Sequence, residues 1–174
     1  MNLALFALHF VVGVLFFAHG AQKVFGWFGG YGIDGTAGFM ESLGMRPGRL
    51  HAWAAGLAET VGGLLLALGL FTPIGAAMVI AVMVTAIITV HGTKGFFTQD
   101  GGYEFNLMLI AVAFALAGVG PGEWSLDNAF DISWTGTGWA LIAIGAGLVG
   151  GIGAVVQGRA GSPSPADQAP ATPA

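Results

Sequence analysis

Leu3-Ala4-Leu5-Phe6-Ala7-Leu8-His9-Phe10-Val11-Val12-Gly13-Val14-Leu15-Phe16-Phe17-Ala18-His19 contains no Asp, Glu, Lys or Arg, and its only ionisable side chains are two histidines. As a helix it is about 26 Å long, close to the roughly 30 Å hydrocarbon core of a bilayer. Its apolar character is continuous rather than alternating, which excludes a strand of a transmembrane β-barrel. A cleaved signal peptide needs a basic flank and a small-residue cleavage site. Met1-Asn2 supplies no basic flank and Phe16-Phe17-Ala18-His19-Gly20 is a poor cleavage site, so the helix is expected to stay.

Four more segments share that character. The second covers about residues 50–71, and a tight Thr72-Pro73-Ile74-Gly75 turn leads into the third, which ends near His91. The fourth starts near Tyr103 or Glu104 and ends within residues 118–122; the fifth, about 136–156, is the cleanest span by hydropathy. The expected fold is all-α, a polytopic transmembrane helical bundle. Composition points the same way. Of 174 residues 55% are apolar and 8% charged, against roughly 25% charged in soluble domains, too few to clothe a water-facing surface. The 31 glycines have no collagen period and fall largely inside apolar runs, where they let helix backbones approach closely in lipid. Five Lys and Arg make no basic patch, so no nucleic-acid partner is expected. Without cysteine the chain offers no thiol couple, iron–sulfur ligand or thiolate zinc site, and no metal site is assigned.

Residues 1–132 form the expected four-helix core, 133–157 an additional transmembrane helix, and 158–174 a Ser/Pro/Ala tail too polar to order itself. The connection 20–49 is not featureless. Residues 36–43 read as a short helix stopped by Gly44 and Pro47, and Phe25, Trp27, Phe28 and Tyr31 suit the headgroup level.

Alternating spans sort the polar residues to two faces. Side A, which holds the N-terminus, receives Glu123, Asp127 and Asp131 in one loop. Side B receives His19, Gln22, Lys23, His51, His91, Lys94, Glu104 and Asn106. Glu59 lies about 13 Å in from the side-B end of its span. A carboxylate at that depth costs several kcal/mol unless neutral or paired, and the nearest cations by topology are Lys23, His19 and His91. If the first helix continues through residue 23, His19, Gln22 and Lys23 share one face. The cluster reads as a functional site; a polar network that only ties helices together is the competing reading. His9, alone in an apolar helix, reads as a packed, neutral, hydrogen-bonded residue. His19 and His91 come from different helices near one face, as haem ligands do, yet no spacing marks a haem site. In the fifth span Ala143, Gly147 and Gly151, and likewise Ala146, Gly150 and Ala154, form small-residue ladders for close packing, within the bundle or between copies.

These residues resemble a known family. His19-Gly20-Ala21-Gln22-Lys23-Val24-Phe25-Gly26 is similar to the HGxQKxFG motif that ends helix one in the DoxX family. Glu59, in Gly56-Leu57-Ala58-Glu59-Thr60-Val61-Gly62-Gly63-Leu64-Leu65-Leu66, resembles its second-helix glutamate. Gly101-Gly102-Tyr103-Glu104-Phe105-Asn106 resembles the start of its fourth helix, and Gly120-Pro121-Gly122-Glu123-Trp124-Ser125-Leu126-Asp127 its closing GPGxxSLD segment. The resemblance covers about residues 3–127. It departs at His9, where members often carry arginine, and in the fifth helix, since the family core has four.

The resemblance implies a bacterial inner-membrane protein tied to redox systems; the relative DoxD is a subunit of a thiosulfate:quinone oxidoreductase. Mycobacterial members are similar to a component of a membrane oxidoreductase complex linked to thiol and oxidative-stress handling. On this reading His19, Lys23, Glu59 and Glu104 are candidate catalytic residues, and Gln22, His91, Asn106 and Asp127 candidate substrate- or quinone-binding residues. The protein would be a membrane subunit of a redox complex, with quinone as the one cofactor the resemblance suggests. Redox partner proteins would supply electrons, and the fifth helix is a candidate surface for oligomerisation. A small-solute or proton-coupled transporter and a non-catalytic anchor or assembly protein are the alternatives. All five Lys and Arg (Lys23, Arg46, Arg49, Lys94, Arg159) fall on side B, which the positive-inside rule places in the cytoplasm.

Overall fold

The computed structural model describes residues 2–161, so most of the expected tail, from residue 162 on, lies outside the described residues. Among the described residues there are seven α-helices and no strand: α1 (Asn2–Phe25), α2 (Gly32–Ser42), α3 (Gly48–Leu68), α4 (Thr72–Ala86), α5 (Glu104–Val119), α6 (Leu126–Ala129) and α7 (Thr137–Ala160). A π turn (Ile87–His91) and a 3-10 turn (Gly92–Lys94) prolong α4. α1, α3, α7 and α4 with its prolongation are long and apolar enough to cross a membrane, and α5 is a shorter apolar helix. The chain is a multi-pass helical membrane bundle.

Several boundaries differ from the sequence reading. Nothing in Gly20-Ala21-Gln22-Lys23-Val24-Phe25 interrupts helical hydrogen bonding, so α1 runs unbroken past His19 and ends only where Gly26 turns left-handed, φ 71°. α2 begins at Gly32 rather than residue 36. The turn before α4 is not Thr72-Pro73-Ile74-Gly75. It consists of Gly69 (φ 58°) to Phe71 (φ 45°), and Thr72 and Pro73 already form the helical first turn, where proline wastes no backbone donor. α7 continues to Ala160, because Gly158 is buried against Met45 and His51 instead of starting a tail.

α1 and α3 pack antiparallel with their backbones in contact. A Cβ placed on Gly13 would stand 2.3 Å from the Ala67 nitrogen, on Gly63 2.4 Å from the Phe17 nitrogen, and on Gly20 2.4 Å from the Thr60 nitrogen. Only glycine permits that approach, and in lipid such contact supplies dispersion energy that apolar side chains, already solvated by tails, do not. The first ladder of α7 works in the same way on α4: Gly147 meets Ile80, Gly151 meets Val84, and Ala143 is buried. Phe16, Leu66, Val79, Ile80 and Leu116 close the core between these pairs.

Gly63→Val is expected to drive α1 and α3 apart and destabilise the protein by about 3 kcal/mol or more. Gly145→Ala and Gly153→Ala, whose added methyls meet nothing within 4 Å, are expected to be neutral; thermal unfolding in detergent compares the three.

Candidate functional site

The glycine contacts decide what stands opposite Glu59. Gly20 touches Thr60 and Val24 touches Gly56, so His19 and Lys23 lie beside Glu59. Glu59 is 3% exposed, and its Oε2 accepts from the Lys23 ammonium in a tight ion pair. The lysine stem reaches in from a partly exposed position, so the charge of a carboxylate about 16 Å along α3 from Gly48 is balanced inside the bundle.

This pair borders a cavity of about 590 Å³, within the range of small-molecule sites. His19, Lys23, Glu59, His91 and Asn106 all line it, together with His51. His91 Nδ1 is 2.7 Å from the Gly101 carbonyl, and since a carbonyl only accepts, that nitrogen carries a proton and donates. In the tautomer this contact selects, Nε2 is the acceptor. Asn106 is 6% exposed, and among the described residues its amide nitrogen finds only the Met83 thioether, 3.4 Å away and a weak acceptor. His51 Nε2 is buried without a hydrogen-bond partner among the described residues. Gly150 and Ala154 of α7, two of the three residues of the second ladder, border the same cavity, with Gly150 also packed close to Ala81 of α4.

Three predicted site residues lie elsewhere. Gln22 donates from Nε2 to the Phe28 carbonyl at 3.2 Å and closes the turn after α1. Glu104 is exposed and accepts from the Thr98 amide at 3.0 Å, holding the side-B loop before α5. Asp127 is on side A. It is 1% exposed, and its carboxylate takes the Phe71 amide at 2.7 Å, the Thr72 amide at 3.2 Å and the Thr72 hydroxyl at 3.0 Å. An anion on the free amides at the start of α4 is favoured by the helix dipole as well as by hydrogen bonding. His9 is buried nearby, with Nδ1 3.1 Å from the Leu66 carbonyl and Nε2 3.4 Å from the Gly120 carbonyl, tying α1 to the ends of α3 and α5. Among the described residues no group of three His, Cys, Asp or Glu is arranged to hold a metal ion.

The DoxX family pattern matches residues 4–92, just over half of the chain. The chain belongs to the DoxX family. CatD of Bacillus subtilis (strain 168), provisionally named an oxidoreductase, is 32% identical over 111 residues, 64% of this chain and 76% of its own length. Rv3486 of Mycobacterium tuberculosis (strain H37Rv), named as an uncharacterized membrane protein, is 28% identical over 131 residues, 70% and 77% of the two chains. No solved structure gives a significant match.

In this DoxX protein the motif segments divide by task. His19 and Lys23 face the cavity, Gln22 and Gly26 form the turn that ends α1, and Asp127 clamps α4 from the opposite face. His51 was on the side-B face in sequence yet unassigned; the four-residue spacing of His51, Ala55 and Glu59 along α3 was the available signal, and all three border the cavity.

Lys23→Met leaves a buried carboxylate without its cation and is expected to cost about 3 kcal/mol, whereas the double variant Lys23→Met/Glu59→Leu regains most of it. Asp127→Ala is expected to cost about 2 kcal/mol by freeing amides at the α4 start. Denaturation of the purified variants, with the double variant completing a cycle, measures both.

Proposed function

We propose that this DoxX protein is the membrane subunit of a redox system in a bacterial cytoplasmic membrane, holding a quinone head or a small polar substrate in the cavity beside Lys23 and Glu59. The observation that carries the reading is an apolar cavity with the part-buried Lys23–Glu59 ion pair in its wall and under-satisfied His19 and Asn106 beside it. Intramembrane ionisable groups on a cavity mark function more often than packing. The family membership and the name of CatD agree with redox chemistry, the first by the resemblance above and the second by its words alone.

Reduction of a quinone to a quinol takes two electrons and two protons. The chain has no cysteine to carry electrons, so a redox partner protein delivers them. The Lys23 ammonium and the His19 ring stabilise the oxyanion as it develops, by hydrogen bonds in a medium of low dielectric. In this reading one proton comes from the Lys23 ammonium by way of the Glu59 carboxylate, and the second through the His91 ring, whose Nε2 takes up a proton and passes it on.

Purification from native membranes, followed by extraction and quinone analysis, tests this directly. Wild type is expected to retain quinone, and Glu59→Gln to retain it about tenfold less, the loss of one charge-assisted hydrogen bond. A quinone-free wild type, together with unaltered membrane redox activity in Glu59→Gln, rejects the reading.

A further inference from the structure

We infer that the cavity fills sideways from the hydrocarbon phase, through a slot between the side-B halves of α1 and α5, and that its ligand is a neutral, membrane-dissolved amphiphile with a hydrogen-bonding head. This rests on the cavity being a binding site, as proposed above, and not on the redox chemistry.

The first ground is the splay of two helices. α1 meets the end of α5 at side A, where His9 stands 3.4 Å from the Gly120 carbonyl. Toward side B they are not among the helix pairs that pack along their length, and the cavity lies between them, with Leu15 and His19 on one edge and Phe105 and Leu109 on the other. Leu15, His19 and Phe105 are exposed, so they form an open rim on a surface that hydrocarbon covers.

The second ground is the roof. An aqueous entrance from side B would be lined by polar side chains. Instead α2 and the residues after it present Phe39, Met40, Leu43 and Met45 to the cavity, while Asp34, Glu41 and Ser42 are exposed and do not line it. The loop after α4 is drawn across the same end by His91 and the Gly101 carbonyl.

The third ground is the placement of the polar atoms. Gly20 packs on Thr60, which puts His19 at the depth of Glu59, at the rim and with no hydrogen bond among the described residues. A polar ring left facing hydrocarbon is unfavourable, and a ligand head seated there relieves it. Lys23 and Glu59 cancel each other's charge, so the site offers an ion no net attraction. A head that donates and accepts hydrogen bonds between His19 and Asn106, with its apolar body left in the slot, satisfies the wall.

The chain contains no cysteine, so Ala58→Cys and Leu109→Cys each place a sole thiol on the cavity wall. In proteoliposomes the probes are membrane-soluble N-phenylmaleimide and a membrane-impermeant, positively charged methanethiosulfonate applied to either face. The expected result is labelling by the maleimide at least about tenfold above the charged reagent, and a drop of similar size when Leu15→Trp narrows the rim. A Val149→Cys control on the exposed side of α7 is expected to label equally with and without Leu15→Trp. Comparable labelling by the charged reagent from either face overturns the inference in favour of an aqueous entrance, and no labelling of either cavity position by either reagent overturns it in favour of a closed void. The readout involves no electron transfer. A protein that carries no quinone yet labels from the lipid phase loses the redox reading and keeps this one.

Discussion

Burying the Glu59 carboxylate in an apolar helix is the constraint on which the rest of the bundle depends. At 3% exposure it is almost wholly withdrawn from solvent, and an unpaired ion there would cost several kcal/mol. The cation that balances it is Lys23 on a neighbouring helix. For that pairing α1 must stay helical past His19, and it must lie close enough along α3 for a lysine stem to reach in. Gly13, Gly20 and Gly63 provide the approach, each at a point where a Cβ would meet the partner's backbone. The ion pair, the length of α1 and the glycine seam are therefore one device.

The two buried carboxylates show how environment separates structure from chemistry. Asp127 spends both oxygens on the Phe71 and Thr72 amides and the Thr72 hydroxyl, which leaves little capacity for a ligand and holds Phe71 in the left-handed region at φ 45°. Among the described residues Glu59 has one partner, the Lys23 ammonium, and it borders open volume. Of two similar groups, the one whose hydrogen-bonding capacity is unfilled and faces a cavity is the one able to act on a molecule from outside.

α7 carries two faces of small residues with opposite consequences. Against α4, Gly147 and Gly151 remove side chains so that backbones touch. Gly150 and Ala154, one position round, border the cavity, Gly150 at its edge beside Ala81 of α4. The same residue types make a contact or a cavity according to what lies opposite, which periodicity along one helix does not encode.

Much of this was legible in the chain before any coordinates. The helical membrane-spanning character and the side-B grouping of His19, Lys23, Glu59, His91 and Asn106 follow from hydropathy and helix geometry, because both are set by residues within one segment. Of the five expected spans, four are long and apolar enough to cross a membrane, and α5, at 16 residues, is shorter. The misplaced turn before α4 has a similarly local cause: Thr72-Pro73 suits a turn and a helical first turn alike, and only Gly69, with its left-handed φ of 58°, and the Asp127 clamp select the second. That Glu104 and Gln22 serve loops, that Asp127 belongs to the other face's architecture, and that His51 joins the cavity are facts about distance between residues far apart in sequence. Sequence by itself determined a membrane-spanning bundle with its ionisable groups toward one face, since the transfer cost of each segment is a sum over its own residues. Tertiary structure alone decided which of those groups share a cavity and which are consumed in holding it, because that depends on how closely backbones approach across helices.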